Sequence, residues 1–185
     1  MQQQKPPHPL ILEKLNRDYT YNPDTGQVYK NGVAVGGKRH CGNDYYNIGF
    51  AVSVEFDEYS NLYGHLTAHQ VAWYLHYGEW AMQHIDHIDG DGSNNRIANL
   101  RLATIAENMR NRGKVKRKVG KWSSQYKGVI YDKRRGQWIA DITFQRKKIR
   151  VGRYPTEVDA ARAYDEVAKE LHGEFARLNF PPEST

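Results

Sequence analysis

Apolar and polar residues alternate in short segments along the first third of the chain, which is the pattern of β-strands. Two such segments at residues 19–29 flank the sequence NPDTG at residues 22–26, so we predict a β-hairpin there. Residues 44–54 again have a strand-like composition, whereas residues 32–42 are rich in Gly and Lys and predict a loop. Together these segments predict a small antiparallel sheet.

The hydrophobic period becomes helical at residues 66–77, where Thr67 is a suitable N-cap and Gly78 a suitable stop. The first nine residues are polar and Pro-rich, so we expect residues 1–9 to form a disordered tail.

A polar stretch at residues 82–112 has a different organisation. A short segment ends at Asp86 and His87, a loop rich in Asp, Asn and Gly follows, and the sequence LRLA at residues 100–103 reads as a second strand. The pair Thr104 and Glu107 has the spacing of a capping box and predicts the start of a helix. The predicted order is strand, loop, strand, helix.

The last third of the chain predicts three strands and a helix. The strands are expected at residues 126–131, 137–144 and 148–154, and Thr156 with Asp159 resembles a capping box. One apolar helical face then follows, formed by Val158, Ala161, Tyr164, Ala168 and Leu171.

Charge is distributed unevenly between the two halves of the chain. Residues 1–110 hold 9 Lys and Arg against 12 Asp and Glu, whereas residues 111–185 hold 18 against 9. A basic domain commonly marks a polyanionic partner, either nucleic acid or an anionic membrane surface. Residues 113–122 include five cations and no acidic residue and predict a basic linker, in which Lys116, Arg117 and Lys118 are suited to contact phosphates.

The single cysteine, Cys41, excludes a disulfide framework and a zinc site built on paired cysteines. No apolar run approaches the ~18 residues of a membrane span, and no secretory signal is visible. We therefore expect a soluble protein of the cytoplasm that has no membrane partner and no small-molecule cofactor.

The polar stretch has the side chains of a metal-assisted hydrolytic site. The predicted order of elements allows the Asp86 carboxylate and the Asn108 amide oxygen to face one gap, and two hard oxygen ligands suit Mg²⁺ or Mn²⁺. His87 is the natural general base beside them. Two other sites fit the residues less well. Asp89, Asp91, Ser93 and Asn95 resemble a calcium loop, but no Glu stands at its twelfth position, and a zinc pair formed by His84 and His87 lacks cysteine partners.

The motifs of this stretch resemble those of the HNH (ββα-metal) endonucleases of the phage and intron-homing type. The matching segments are DHIDG at residues 86–90, NN at residues 94–95, NLR at residues 99–101 and EN at residues 107–108. The resemblance implies that His87 is the general base, that Asp86 and Asn108 hold one metal ion, and that Asn99 orients the loop. Asn111 lies on the same helix face as Asn108, but the motif position is 108.

The basic last third resembles the AP2 DNA-binding domain. The matching segments are YKGV, WIADI, VGRY, AARAYD and LNFP, within residues 123–181. The resemblance implies that the sheet enters the major groove of DNA and that Val158, Tyr164 and Leu171 on the helix are core residues. Independently of the resemblance, aromatic and cationic residues alternate over the predicted sheet, which suits a surface that reads a DNA groove. The expected DNA contacts in the domain are Lys127, Trp138, Arg146, Lys148, Arg150 and Arg153, and a core position remains equally open for Trp138.

The sequence therefore predicts an α+β protein with a nuclease domain at residues 10–112, a linker at residues 113–122 and an AP2-like domain at residues 123–181. The expected activity is metal-dependent hydrolysis of double-stranded DNA by a monomer or homodimer. The alternative is a DNA-binding regulator with a vestigial nuclease site.

Overall fold

A computed structural model describes residues 4–35, 40–41, 45–46, 49–55, 61–113 and 123–181 of the chain. Side chains are described for these residues except those within 36–65. The chain forms two compact units, Met1–Ile105 and Ala106–Thr185. Helices and antiparallel sheets occur in both units, so the fold is α+β, as predicted. Among the described residues, no helix combines the length and the apolar character that crossing a membrane requires.

The first unit begins with a helix that the hydrophobic pattern did not reveal, α1 (Pro9–Asp18). The His8 ring accepts a hydrogen bond from the Leu10 amide at its N-terminus, and Ile11 and Leu15 are buried one turn apart. Upstream, the Gln4 amide donates to the Met82 carbonyl at 2.9 Å. Residues 4–9 therefore differ from the expected frayed tail, because backbone bonding fixes one end and the helix the other.

The predicted hairpin is confirmed and has a third strand. β1 (Tyr19–Asn22) and β2 (Gln27–Lys30) pair antiparallel, and β3 (Val33–Val35) extends the sheet into the stretch expected to be a loop. In the turn of the hairpin, the Asn22 side chain accepts from the amides of Asp24 and Thr25.

The remaining strands of the first unit pair locally. β4 (His40–Cys41) pairs with β5 (Tyr45–Tyr46), and β6 (Gly49–Glu55) pairs with β7 (Asn61–Thr67), a strand that the sequence pattern did not predict.

The helix α2 (Ala68–Tyr77) follows β7 directly. Its ends are those predicted: the Thr67 amide donates to the Gln70 side chain, and Gly78 ends the helix with a left-handed backbone. The helix packs on α1 and the hairpin in a core formed by Ile11, Leu15, Tyr19, Val28, Leu66, Val71 and Tyr74.

The polar stretch has the predicted order of elements. β8 (His84–His87) pairs antiparallel with β9 (Leu100–Ala103), a loop with a short 3-10 turn at residues 97–99 joins them, and α3 (Ile105–Asn111) begins directly after Thr104. The boundary between the two compact units falls at the start of α3, ahead of the predicted linker at residues 113–122. Residues 114–122 lie outside the described part of the chain.

The second unit has the predicted three strands and helix. β10 (Val129–Asp132), β11 (Gln137–Phe144) and β12 (Lys147–Tyr154) form an antiparallel sheet, and α4 (Glu157–His172) packs on one face of it. Thr156 caps α4 by accepting from the Asp159 amide. The expectation for Val158 was wrong: its side chain is 40% exposed, because the buried face consists of Ala160, Ala161, Tyr164 and Ala168.

Candidate active site and basic sheet

Asp86 lies at the centre of the β8–β9 ribbon and is almost fully buried. The register places it directly opposite Arg101, whose Nε and Nη2 both donate to its Oδ2, at 3.0 and 2.9 Å. A guanidinium that grips a carboxylate with two hydrogen bonds restricts its rotation. The strand pairing therefore fixes the orientation of the Asp86 carboxylate.

His87 follows at the end of β8, where the chain leaves the ribbon for the loop. Its Nε2 lies 2.9 Å from Oδ1 of Asn95, a loop residue that is 3% exposed. The ring of His69, from α2, contacts it edge-on with the centroids 5.2 Å apart. Burial, followed by the charges of His87 and His84, lowers the pKa of His69 to about 3, so His69 stays neutral beside His87.

Asn99 binds both ends of the loop through its side-chain amide. Its Oδ1 accepts from the Asp89 amide at 3.1 Å, and its Nδ2 donates to the Asn94 carbonyl at 2.7 Å. Its backbone carbonyl accepts from the Ile88 amide at 2.9 Å. These bonds close the loop directly beyond His87, so the position of that ring depends on Asn99.

The acidic residues of the loop accept several hydrogen bonds from within the loop. Asp89 accepts from the Asp91 amide and from the Asn94 side chain, and Asp91 accepts from the amide and hydroxyl of Ser93. Within the described ranges, no cluster of three or more His, Cys, Asp or Glu side chains is placed to hold a metal ion. The geometry favours a structural function for these carboxylates.

Asn108 lies on α3, in the second compact unit, and its side chain is half-buried. Asn111, one turn further on, is 4% exposed. The role of Asn108 as the second metal ligand stays a prediction.

The face of the β10–β12 sheet opposite α4 carries three of the expected cations. Arg150 is paired with Asp141, Lys148 with Thr143 and Arg153 with Ile139, and directly paired residues of an antiparallel sheet lie on the same face. A bulge between Ala140 and Asp141 shifts this register by one residue.

Asp141 lies among these cations and is 8% exposed. Its Oδ1 accepts from Arg150 Nε at 2.8 Å, and its Oδ2 lies 2.8 Å from Lys148 Nζ. Burial acts to raise the pKa of Asp141, but the hydrogen bonds and charges of Arg150 and Lys148 outweigh it, and the pKa is lowered. The carboxylate therefore stays ionised and holds both cations on the open face.

The comparisons with known proteins identify both regions. Residues 67–110 match the family model described as HNH endonuclease, and residues 124–174 match that of the AP2 domain. The chain has an HNH domain followed by an AP2 domain.

Relatives of the two regions include a viral protein and a plant protein. An uncharacterized HNH endonuclease of Acanthamoeba polyphaga mimivirus is 38% identical over 99 residues, which is 52% of this chain and 46% of that protein. Dehydration-responsive element-binding protein 2A of Arabidopsis thaliana is 48% identical over 48 residues, 25% of this chain and 14% of that protein. The chain thus spans less than half the length of either relative.

Two expected DNA contacts of the AP2 domain have other surroundings. Trp138 shares a face of β11 with Ala140 and Ile142, so it packs against the core on the α4 side. Its ring also contacts that of Tyr131, with the centroids 4.9 Å apart. Lys127 Nζ donates to the carbonyls of Arg110 and Arg112, at 2.6 and 2.8 Å, at the C-terminal end of α3. The contacts with DNA that were expected of both side chains stay predictions.

Arg146 lies in the two-residue turn between β11 and β12 and is exposed. Both turn residues, Gln145 and Arg146, have positive φ angles, of 48° and 64°, which is the signature of a type I′ hairpin turn. The other expected contacts, Lys116, Arg117 and Lys118, lie outside the described residues.

Sequence reasoning did not connect the loop residue Asn95 with His87 or with Tyr21. Asn95 was noted as part of a motif, but its contact with His87 depends on a loop conformation that no local pattern encodes. Tyr21, whose hydroxyl donates to the Asn95 carbonyl at 2.7 Å, lies 74 residues away in the sequence. Only the tertiary fold brings such residues together.

Proposed function

We propose that this protein is a divalent-metal-dependent endonuclease that hydrolyses phosphodiester bonds of double-stranded DNA and is targeted by its AP2 domain. The observation that carries the proposal is the geometry at the end of β8, where Asp86 and His87 are adjacent. Asp86 is hydrogen-bonded to Arg101, and His87 contacts Asn95. The match of residues 67–110 to HNH endonucleases supports the same activity.

The donor set fits a hard divalent cation. Asp86 supplies carboxylate oxygen, Asn108 is proposed to supply an amide oxygen, and Mg²⁺ and Mn²⁺ prefer such oxygen ligands and retain several waters. When bound, the metal would polarise the scissile phosphate and stabilise charge on the leaving oxygen. The hydrogen bonds from Arg101 both fall on Oδ2 of Asp86, so they hold the carboxylate in one orientation for its ligand role.

His87 acts on the nucleophile. Its neutral ring takes a proton from a water molecule, whose oxygen then attacks phosphorus and forms the new P–O bond. The bond from phosphorus to the 3′ oxygen breaks, and that oxygen gains a proton from solvent. The products are a 5′-phosphate and a 3′-hydroxyl, the ends that the family resemblance implies.

The sheet of the AP2 domain supplies affinity. Arg150, Lys148 and Arg153 lie on its open face, where lysine suits phosphate contacts and arginine suits guanine edges. The second half of the chain carries 18 Lys and Arg, so we expect the affinity for duplex DNA to fall steeply as salt rises.

The test is nicking of supercoiled plasmid DNA by the full chain with Mg²⁺ or Mn²⁺, and with EDTA as the control. We expect cleavage only with metal. The cleavage rate should fall about 100-fold or more in His87→Ala, since general-base catalysis contributes about that much. A fall of about the same size is expected in Asn108→Ala, which removes a proposed metal ligand. Asn111→Ala, on the same helix, is the matched control and is expected to keep more activity than Asn108→Ala. If His87→Ala and Asn108→Ala both cut as fast as the wild type, the proposal fails.

The ion pair between Asp86 and Arg101 favours a second function, that of a DNA-binding regulator with a vestigial nuclease site. A carboxylate already paired with a guanidinium attracts a cation less strongly. This alternative predicts salt-sensitive DNA binding that is independent of metal, with no cleavage under Mg²⁺, Mn²⁺, Co²⁺ or Ni²⁺. Metal-dependent nicking that His87→Ala abolishes would exclude it.

A further inference from the structure

The contact between Asn95 and His87 determines which ring nitrogen carries the proton. Oδ1 of Asn95 lies 2.9 Å from Nε2 of His87, and an amide oxygen can only accept a hydrogen bond. This contact is a hydrogen bond of the neutral ring when Nε2 carries the proton, and in that tautomer the lone pair lies on Nδ1. Because Asn95 is 3% exposed, water cannot easily replace it as the partner of the ring.

Asn95 is itself held by the N-terminal hairpin. The Tyr21 hydroxyl donates to the Asn95 carbonyl at 2.7 Å, and burial raises the pKa of Tyr21 to about 12, so the hydroxyl keeps its proton. The turn of the hairpin makes two more bonds to the loop: Arg96 Nε donates to the Asp24 carbonyl at 2.7 Å, and the Ile97 amide donates to the Pro23 carbonyl at 3.2 Å.

The hairpin also touches the loop without intervening side chains. A Cβ atom placed on Gly26 would lie 2.6 Å from the backbone carbon of Asn95 and 2.6 Å from the Arg96 nitrogen. Backbone of the hairpin turn therefore lies directly against the backbone that carries Asn95. The loop is thus held on this side by a folded element outside the HNH match at residues 67–110.

We infer that Asn95 is a positioning residue for the His87 base and that the N-terminal hairpin is part of the nuclease site. Asn95 fixes the ring with its proton on Nε2, so that Nδ1 receives the proton from the attacking water. The hairpin fixes Asn95. This inference rests on the proposed nuclease function, but the state of the His87 ring can be measured without cleavage.

The first measurement is the tautomer of His87 by ¹³C and ¹⁵N NMR of the full chain, in metal-free alkaline buffer where imidazole rings are neutral. We expect the Nε2–H form to dominate in the wild type and in Asn95→Asp, which keeps an acceptor oxygen. A mixture of the two forms is expected in Asn95→Leu, which has a similar volume but no acceptor. A wild-type ring with its proton on Nδ1, or an unchanged tautomer in Asn95→Leu, would overturn the inference.

The second measurement is the cleavage rate on duplex DNA. Asn95→Leu is expected to lower kcat about 10- to 100-fold, by analogy with the loss of a partner that orients a metal-bound histidine, with KM little changed. Asn95→Asp should recover part of this loss. A rise in KM with kcat unchanged, or equal activity in Asn95→Leu and the wild type, would contradict the inference.

Tyr21→Phe keeps the test decisive where Asn95→Leu does not fold. It removes only the hydroxyl that anchors the Asn95 carbonyl, and Tyr29→Phe on the neighbouring strand is its control. We expect a several-fold fall in kcat for Tyr21→Phe alone, and equal values for the two variants would refute the role of the hairpin. Wild-type protein with the Nε2–H tautomer but no cleavage under any metal would instead refute the proposed function.

Discussion

Asp141 is an acidic residue on the face of the AP2 sheet that otherwise carries Arg150, Lys148 and Arg153. Its two ion pairs, both at 2.8 Å, hold Arg150 and Lys148 close to the sheet. Because both cations are largely exposed, the pairs add little to stability, and their main effect is on where the cations point. One carboxylate thus limits how freely this face binds phosphate.

Asp141→Asn tests that effect on duplex DNA of mixed sequence. The change adds one positive charge and frees two cations, so we expect several-fold tighter binding and a steeper fall of affinity with salt, measured by fluorescence anisotropy. Asp132→Asn is the matched control, because Asp132 pairs with Arg135 in the turn between β10 and β11 and its loss adds the same charge. An equal gain in both variants would show that only net charge matters.

At the scale of elements, the hairpin and the helices with strong end signals were predictable from sequence. Thr67 and Gly78 bound α2, and Thr156 caps α4, because capping is local chemistry that three or four residues specify. The helix α1 was missed because its buried residues, Ile11 and Leu15, lie in a short mixed segment. The strand β7 was missed because it is recognisable from its pairing with β6 and not from its own sequence pattern.

The candidate site divides in the same way. Asp86, His87 and Asn99 could be identified from the sequence, because a motif consists of residue types at fixed spacings. The partners Arg101 and Asn95 are visible only as residues, because cross-strand register and loop closure decide what they touch. Lys127 shows the converse, because its positive charge alone does not indicate that it contacts the carbonyls at the end of α3.

Gly26 is where the hairpin and the loop meet most closely, and it supports a prediction about an element. Gly26→Ala would add a Cβ 2.6 Å from backbone atoms of Asn95 and Arg96, at a φ of 75°. We expect a loss of about 2–4 kcal/mol in the free energy of unfolding, since left-handed strain and a backbone clash add together. Urea unfolding of the purified chain measures it.

Gly78→Ala separates the two terms. Gly78 has nearly the same φ, 74°, but a Cβ there meets nothing within 4 Å. Only the strain of about 1 kcal/mol should remain, because the backbone conformation is the same and the clash is absent. Equal destabilisation by the two substitutions would show that the hairpin turn does not press against the loop.

At the scale of the whole molecule, nearly all of α3, the helix of the HNH motif, belongs to the compact unit that holds the AP2 domain. Within that unit, the Lys127 ammonium donates to the carbonyls of Arg110 and Arg112 at the end of α3. Cations at a helix C-terminus satisfy carbonyls that have no partner within the helix. A residue expected to bind DNA therefore joins the two sequence segments on either side of the linker.

The pH dependence of stability tests the burial of Lys127. Burial, assisted by the charge of Arg177, lowers the pKa of Lys127 to about 8, whereas an unfolded lysine titrates near ~10.4. Below pH 8 both states hold the proton, so this residue contributes no pH dependence. Between these two values the unfolded state binds more protons than the folded state, so the free energy of unfolding should rise with pH.

Lys127→Met removes the titrating group and should flatten that rise, as measured by urea unfolding at a series of pH values from neutral to alkaline. Lys133→Met is the control, because Lys133 is exposed in the turn between β10 and β11 and its loss should leave the rise intact. Parallel pH profiles for the wild type and Lys127→Met would contradict the burial of this ammonium. A wild-type profile that falls over the same range would mean that the two carbonyls stabilise the charged form by more than burial costs it.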